Sequence, residues 1–246
     1  MSNIPDKSID CIICDLPYGT TTCSWDTIID FPLLWEQYKR IIKDNMAIVL
    51  FGQEPFSSLL RCSNLDWFKY DWYWKKARPS GFTNAKLKPL KDVEIISVFS
   101  NGKTANGSKN NMLYNPQGLE DCNIVWKRPN LSYGIDKGVN PTRKNHKLEG
   151  TRDKQNYPRQ ILEYSLHNKG LLHPTQKPVD LIEYLVKTYT DENMIVLDNC
   201  AGSGSTAVAC ENTNRKWICI EKDINYSNLA IDRILENCYD NEQKVT

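Results

Sequence analysis

Residues 195–211 read IVLDNCAGSGSTAVACE, a strand, a glycine turn and a helix start in succession. Ile195–Leu197 is a short apolar run rich in β-branched residues, which suits a buried strand. Gly202 and Gly204 follow within a turn, and Ser205–Glu211 is a run of small residues that opens a helix. Glycines let a backbone approach a ligand closely, and a helix start offers unpaired N–H groups. A second apolar run, Trp217–Ile220, ends at Glu221, 17 residues after Gly204. A carboxylate placed there can accept hydrogen bonds from ribose hydroxyls. Gly202-x-Gly204-x-x-Ala207 also fits the dinucleotide fingerprint, so the ligand class is adenosine-like.

The flanks continue the alternation. Pro178 suits a first helical turn, with Leu181, Ile182, Leu185, Val186 and Tyr189 on one face. Ile224–Asn237 is a last amphipathic helix. Toward the N-terminus, Ile9–Cys14 and Ala47–Phe51 read as buried strands around a helical stretch, Trp35–Lys43. Phe68–Trp74 and Val93–Phe99 are aromatic and β-branched strand candidates. Strands alternating with helices imply an α/β protein with a mostly parallel sheet, covered by helices on both faces. Between Asn101 and Gly170 the periodicity is lost. Eleven Asn and seven Gly fall there, so loops or a small irregular subdomain are expected.

The 246 residues carry 40% hydrophobic and 25% charged side chains, an ordinary globular balance that argues against disorder. No run of about 18 apolar residues exists, and Met1–Asp10 has no apolar signal core. A membrane span and secretion are therefore not expected, and the nine cysteines read as reduced thiols. The formal charge of +1 hides an asymmetry: residues 101–170 carry a net of +6 and the remainder −5. Residues 67–91 hold seven Lys and Arg against Asp71 alone, interleaved with seven aromatics. Cations beside flat rings suit a nucleic acid, although a solvated face over an aromatic strand has the same composition.

A second chemical site lies at the end of the first strand, Asp15-Leu16-Pro17-Tyr18-Gly19. Open α/β sheets place their ligands at that end. Asp15 and the Leu16 carbonyl are acceptors, and Tyr18 is a flat surface held by Pro17. Two acceptors beside a ring suit a planar exocyclic amine. Phe51-Gly-Gln-Glu54-Pro ends the next strand along the chain and is expected to border the same site. Cys11-x-x-Cys14 has metal-like spacing but sits inside an apolar strand without a second pair, and His146 and His167 are scattered, so no metal is expected.

Together the two sites resemble the amino-methylating DNA methyltransferases that use S-adenosylmethionine. Asp15–Tyr18 is similar to their Asp-Pro-Pro-Tyr motif, with Leu16 in place of the first proline. Asp198–Thr206 is similar to their cofactor glycine motif. His173-Pro-Thr-Gln-Lys177-Pro178 is similar to the motif that opens the helix beside the cofactor's methionine end. The order, catalytic motif first, is that of the circularly permuted beta group. The resemblance implies a Rossmann-like class I methyltransferase fold with residues 1–100 and 171–246 forming the catalytic and cofactor domain. Residues 101–170 would be a target-recognition insertion. It implies that Asp15 and the Leu16 carbonyl accept hydrogen bonds from the target amine and that Tyr18, after Pro17, stacks on the flipped base. Asp198, Cys200, Gly202, Gly204, Ser205, Thr206 and Glu221 would line the cofactor, with Thr175 and Lys177 near its carboxylate. The family pattern also implies seven strands and a further upstream edge strand, whereas six are read here, so the chain starts late in that pattern or is short.

The partner implied is double-stranded DNA, with Lys75, Lys76, Arg78, Lys127, Arg128, Arg143, Lys144 and Arg152 as candidate contacts. An initial Asp leans toward adenine N6, with cytosine N4 as the alternative. No Pro-Cys pair is present, so C5-cytosine chemistry is not expected. A homodimer and a place in bacterial or phage cytoplasm also follow from the resemblance, while a partner endonuclease is not legible. Two other readings stay open: a non-catalytic DNA- or partner-binding relative, and a nicotinamide-dependent oxidoreductase.

Overall fold

A computed structural model describes residues 1–20, 26–127, 149–165 and 176–245. The chain divides into two compact units, Met1–Asn115 with Gln160–Thr246, and Pro116–Arg159. The first unit is built on a seven-stranded sheet. Its strands are β1 (Ile9–Cys14), β2 (Ile42–Gly52), β3 (Phe68–Ser80), β4 (Lys91–Phe99), β7 (Ile161–Tyr164), β8 (Ile195–Asp198) and β9 (Lys216–Cys219), in the order β7-β3-β4-β2-β1-β8-β9. β2, β1, β8 and β9 run parallel, β4 is antiparallel to both β2 and β3, and β7 lies parallel to β3.

The apolar runs are continuous because the sheet is covered on both faces. Cys11, Ile13, Val49 and Phe51 point into one core, with Leu181, Leu185 and Tyr189 of α3 (Val179–Tyr189) and Ala209 and Cys210 of α4 (Ser205–Asn212). Ile12, Cys14, Ile48 and Leu50 point into the other, with Leu34, Trp35, Tyr38 and Ile41 of α1 (Phe31–Ile41) and Phe56 and Leu60 of α2 (Phe56–Cys62). Cys11 and Cys14 thus face opposite sides of the sheet and cannot share an ion. α1 begins where Asp30 accepts a hydrogen bond from Leu33 N at 3.0 Å, with a proline in its first turn. The last helix, α5, spans Ile224–Val245.

Three strands are absent from the sequence reading, all within the aperiodic 101–170 stretch. β7 is only four residues long, yet it docks on β3 and buries Leu162, so it supplies a seventh strand. β5 (Glu120–Lys127) and β6 (Glu149–Gln155) form the two-stranded antiparallel sheet of the second unit. Their residues are almost all solvated, so no apolar alternation marks them. They are joined by cross-strand polar pairs such as Lys154 to Asp121 at 2.5 Å, and by Trp126, which packs against Gly150. The second unit is smaller than the expected insertion, because residues 101–115 and 160–165 belong with the first unit. α2 is also unread in the sequence, being a seven-residue helix after a strand-ending turn. No described helix is long and apolar enough to cross a membrane.

Candidate active site

β1 and β8 are adjacent and parallel, with Cys11 opposite Val196 and Ile12 opposite Leu197. Their carboxyl ends therefore lie side by side. The helix after β1 packs on one face of the sheet and the helix after β8 on the other. The ends of these two strands thus flank a topological switch point, where doubly wound sheets bind their ligands.

The β8 side is a glycine loop held by its own acids. Asp198, 5% exposed, accepts from Cys200 N at 3.1 Å and from the Thr206 hydroxyl at 2.6 Å. Burial pushes its carboxyl up to about 6, against the pull of those two hydrogen bonds. Glu221 accepts from Gly202 N at 2.8 Å and from Asp223 N at 2.9 Å. A carboxylate has about four lone-pair sites, so both oxygens keep capacity for hydroxyl donors. Gly202 has φ +52°, and a Cβ added there meets nothing within 4 Å, so the loop leaves an open cradle beside Glu221. Gly204 is different: its Cβ would stand 2.9 Å from Ala230 Cβ of α5. The Ser205 hydroxyl donates to the Lys177 carbonyl at 3.1 Å, and Ser205 and Thr206 are both buried. Their hydroxyls serve the loop. Cys200 is half-buried, and the neighbouring Asn199 accepts from Tyr38 at 2.6 Å.

The β1 side is a charge cluster. The Tyr18 hydroxyl lies 2.5 Å from Asp15 Oδ1 and 3.1 Å from Glu94 Oε1. Lys177 Nζ bonds Asp15 Oδ2 and stands 3.0 Å from Glu94 Oε1. Lys76 Nζ completes the group, 2.7 Å from Glu94 Oε2. Burial pushes the Asp15 carboxyl up from its ordinary value, partly offset by Lys177 and reinforced by Glu94. Burial also pushes on Glu94, but Lys177 and Lys76 outweigh it and hold that carboxyl low. Lys177 stays charged: its desolvation is outweighed by the two carboxylates. The Tyr18 ring packs on Phe56 at 5.1 Å between centroids, and Phe51 lies 5.1 Å from Lys177 Nζ. Phe51 therefore borders the site as expected, while Glu54 turns away to Arg61 at 2.6 Å. Leu16 is 3% exposed and anchored in the α1-side core, which fixes the loop where a proline ring is missing. Asp26 closes the same loop by accepting from Gly19 N and Thr20 N.

Pro17 is half-buried between Leu16 and Tyr18. Thr175 lies outside the described residues, as do Arg128, Arg143 and Lys144, His146, His167 and His173. Among the candidate DNA contacts, Arg78, Lys127 and Arg152 are exposed, and Lys75 pairs with Glu163 at 3.0 Å. Lys76 is committed to Glu94, inside the cluster. Glu94 itself escaped the sequence reading. Its signal was present: a lone carboxylate in the apolar run VEIISVF (residues 93–99), 3% exposed in the fold.

A mostly parallel seven-stranded sheet with helices on both faces, and a glycine loop at its switch point, defines the class I methyltransferase fold. A solved complex of M1.HpyAVI with SAM superposes with TM-score 0.60 at 24% identity, covering 95% of this chain and 90% of that one. The PvuII cytosine-N4-specific DNA methyltransferase superposes at 0.59 with 13% identity, covering 96% and 86%. The profile of the N6/N4 DNA methylase family matches residues 9–232, and the chain belongs to that family. Among curated relatives, type II methyltransferase M1.MboII of Moraxella bovis is 23% identical over 94% of this chain and 90% of its own length. M.HpaI of Haemophilus parainfluenzae is 26% identical over 95% and 70%. The match to M.HindIII of Haemophilus influenzae is 40% identical but spans 29% of this chain and 24% of that protein.

Proposed function

We propose that this chain transfers a methyl group from S-adenosylmethionine to the exocyclic amino group of a flipped base in double-stranded DNA, adenine N6 in a short specific sequence. The observation that carries the reading is the adjacency of two half-sites. The Gly202–Glu221 cradle and the Asp15 carboxylate stand at the ends of neighbouring parallel strands. The cradle fits the cofactor's nucleoside, with open space over Gly202 for its backbone approach and Glu221 for its ribose. When bound, the cofactor supplies an electrophilic methyl group on sulfonium sulfur.

An adenine amine is a poor nucleophile because its lone pair is delocalised into the ring. Asp15 accepts one amine N–H, and the Leu16 carbonyl accepts the other. Two acceptors favour a pyramidal nitrogen and offset the positive charge that develops as the N–C bond forms and the S–C bond breaks. Such preorganised groups are worth roughly 3–4 kcal/mol each in comparable sites. The surplus proton then leaves the methylated nitrogen for Asp15 and solvent. Extracting the base from the duplex costs a few kcal/mol, which stacking on Tyr18 partly returns. The unit Pro116–Arg159, with exposed Lys127 and Arg152, serves target recognition in this reading, together with Arg78. Asp at the head of the motif supports adenine, and the cytosine-N4 specificity of the PvuII relative keeps cytosine as the second reading.

The test is Asp15→Ala assayed with labelled cofactor on unmethylated DNA. Turnover should fall at least about 10³-fold, while calorimetric affinity for S-adenosylmethionine stays close to the parent's. An Asp15→Ala protein that methylates at the normal rate removes the site assignment.

A further inference from the structure

Glu94 is expensive to keep. It projects from the middle of an apolar strand at 3% exposure, where a carboxylate costs several kcal/mol unless paired. Its partners are all parts of the site. Lys177 Nζ, 9% exposed, is shared between Asp15 Oδ2 and Glu94 Oε1, and Lys76 holds the far oxygen, Oε2. The Tyr18 hydroxyl also touches both acids. Each Asp15 oxygen is therefore engaged, Oδ1 by the tyrosine and Oδ2 by an ammonium, the kind of donor that an amine also is. A target amino group must take the ammonium's place. Asp15 is of no use if the displaced ammonium has nowhere to go, because an unpaired buried charge is strongly unfavourable.

We propose that Glu94 is a positioning residue that receives the Lys177 ammonium when the base's amino group replaces it on Asp15 Oδ2. The exchange is short, because Lys177 already stands 3.0 Å from Glu94 Oε1. It conserves charge, with Asp15 and Glu94 balanced by Lys177 and Lys76 throughout. Asp15 then meets the amine as an acceptor that still has a cation nearby. Among the described residues, the other groups facing Asp15 are Tyr18, Cys14 and, from β8, Asp198. This inference rests on Asp15 as the acceptor of the target amine.

The experiment compares the parent chain with Glu94→Gln, Lys177→Met and the double variant. Rates are read against pH on unmethylated bulk DNA with labelled S-adenosylmethionine, alongside calorimetric cofactor affinity and thermal melting. Glu94→Gln should hold cofactor affinity within about threefold, yet lower kcat and raise KM for DNA, with kcat/KM down at least about tenfold. Lys177→Met leaves two carboxylates facing each other without their shared cation. The acidic limb of its kcat profile should move up by at least about one pH unit. The double variant removes one charge of each sign, so the limb should return toward the parent's and recover much of the rate lost by Glu94→Gln. With a merely structural Glu94, the double variant would not bring the limb back toward the parent's, and the second substitution would only compound the loss of rate. Parent-like kinetics for Glu94→Gln, or a double variant slower than either single, overturns the proposal. If Glu94→Gln does not fold, an unmoved limb in Lys177→Met does the same. A parent chain inactive on every DNA, or an active Asp15→Ala, instead defeats the reading of the site on which the proposal stands.

Discussion

Gly202 and Gly204 are two residues apart and are constrained by different neighbours. At Gly204 an added methyl would press on Ala230 at 2.9 Å, from a backbone at φ +75°. Gly204→Ala should therefore destabilise by about 2–3 kcal/mol in a denaturant melt, combining left-handed strain with a helix pushed outward. Gly202→Ala meets open space and should cost only about 1 kcal/mol in stability. Its methyl would fill the cradle instead, so calorimetric cofactor affinity should drop at least about tenfold. Asp198 makes a pH prediction. Its folded-state carboxyl titrates at about 6, above the ordinary 3.8. The folded protein thus holds that proton more tightly, and stability contributed by the group is lost as pH rises from about 4 through 6. Asp198→Asn, which cannot ionise, should gain on the parent by up to about 3 kcal/mol between pH 4 and 7. A gap that stays flat across that range contradicts the assignment. At this scale the glycines, Glu221 and Asp15 were legible, because each sits in a local motif whose chemistry depends on near neighbours. Lys177 was read as a neighbour of the cofactor's carboxylate and not as a partner of Asp15, since the two are 162 positions apart.

The strands with a core on both sides are the most plainly legible. β1 and the apolar stretch of β2, Met46–Gly52, are buried throughout, so composition alone marks them. The polar strands β5 and β6 carry no such mark, because their pairing depends on cross-strand side chains and not on burial. β7 is a different case. Its four residues are too few for a period, and only the edge of β3 makes them a strand, through Tyr73 opposite Ile161 and Trp74 opposite Leu162. Leu162 is nevertheless 7% exposed within the α3-side core. Leu162→Ala should cost about 2–4 kcal/mol, measured by urea unfolding, which a free loop would not show. A loss below about 0.5 kcal/mol would mean that β7 is not part of the folded sheet.

For the molecule as a whole, the sheet order explains why two sequence motifs more than 180 residues apart make one site. β1 opens the chain and β8 comes near its end, yet they are neighbours, so the permuted motif order closes into a single crevice. The unit Pro116–Arg159 carries a net charge of +4 and contributes no described strand to that sheet. Replacing it with a flexible linker should leave the first unit's cofactor affinity intact and abolish methylation of DNA. Loss of cofactor binding together with methylation would show that the two units fold as one. The central claim is the identity of the methylated group, and one measurement reads it directly: mass spectrometry of nucleosides from unmethylated DNA incubated with the protein and S-adenosylmethionine. N6-methyladenine is the expected product, absent with Asp15→Ala. N4-methylcytosine would keep the mechanism and correct the base, and C5-methylcytosine, or no methylated nucleoside from any DNA, would rule out amine methylation by Asp15.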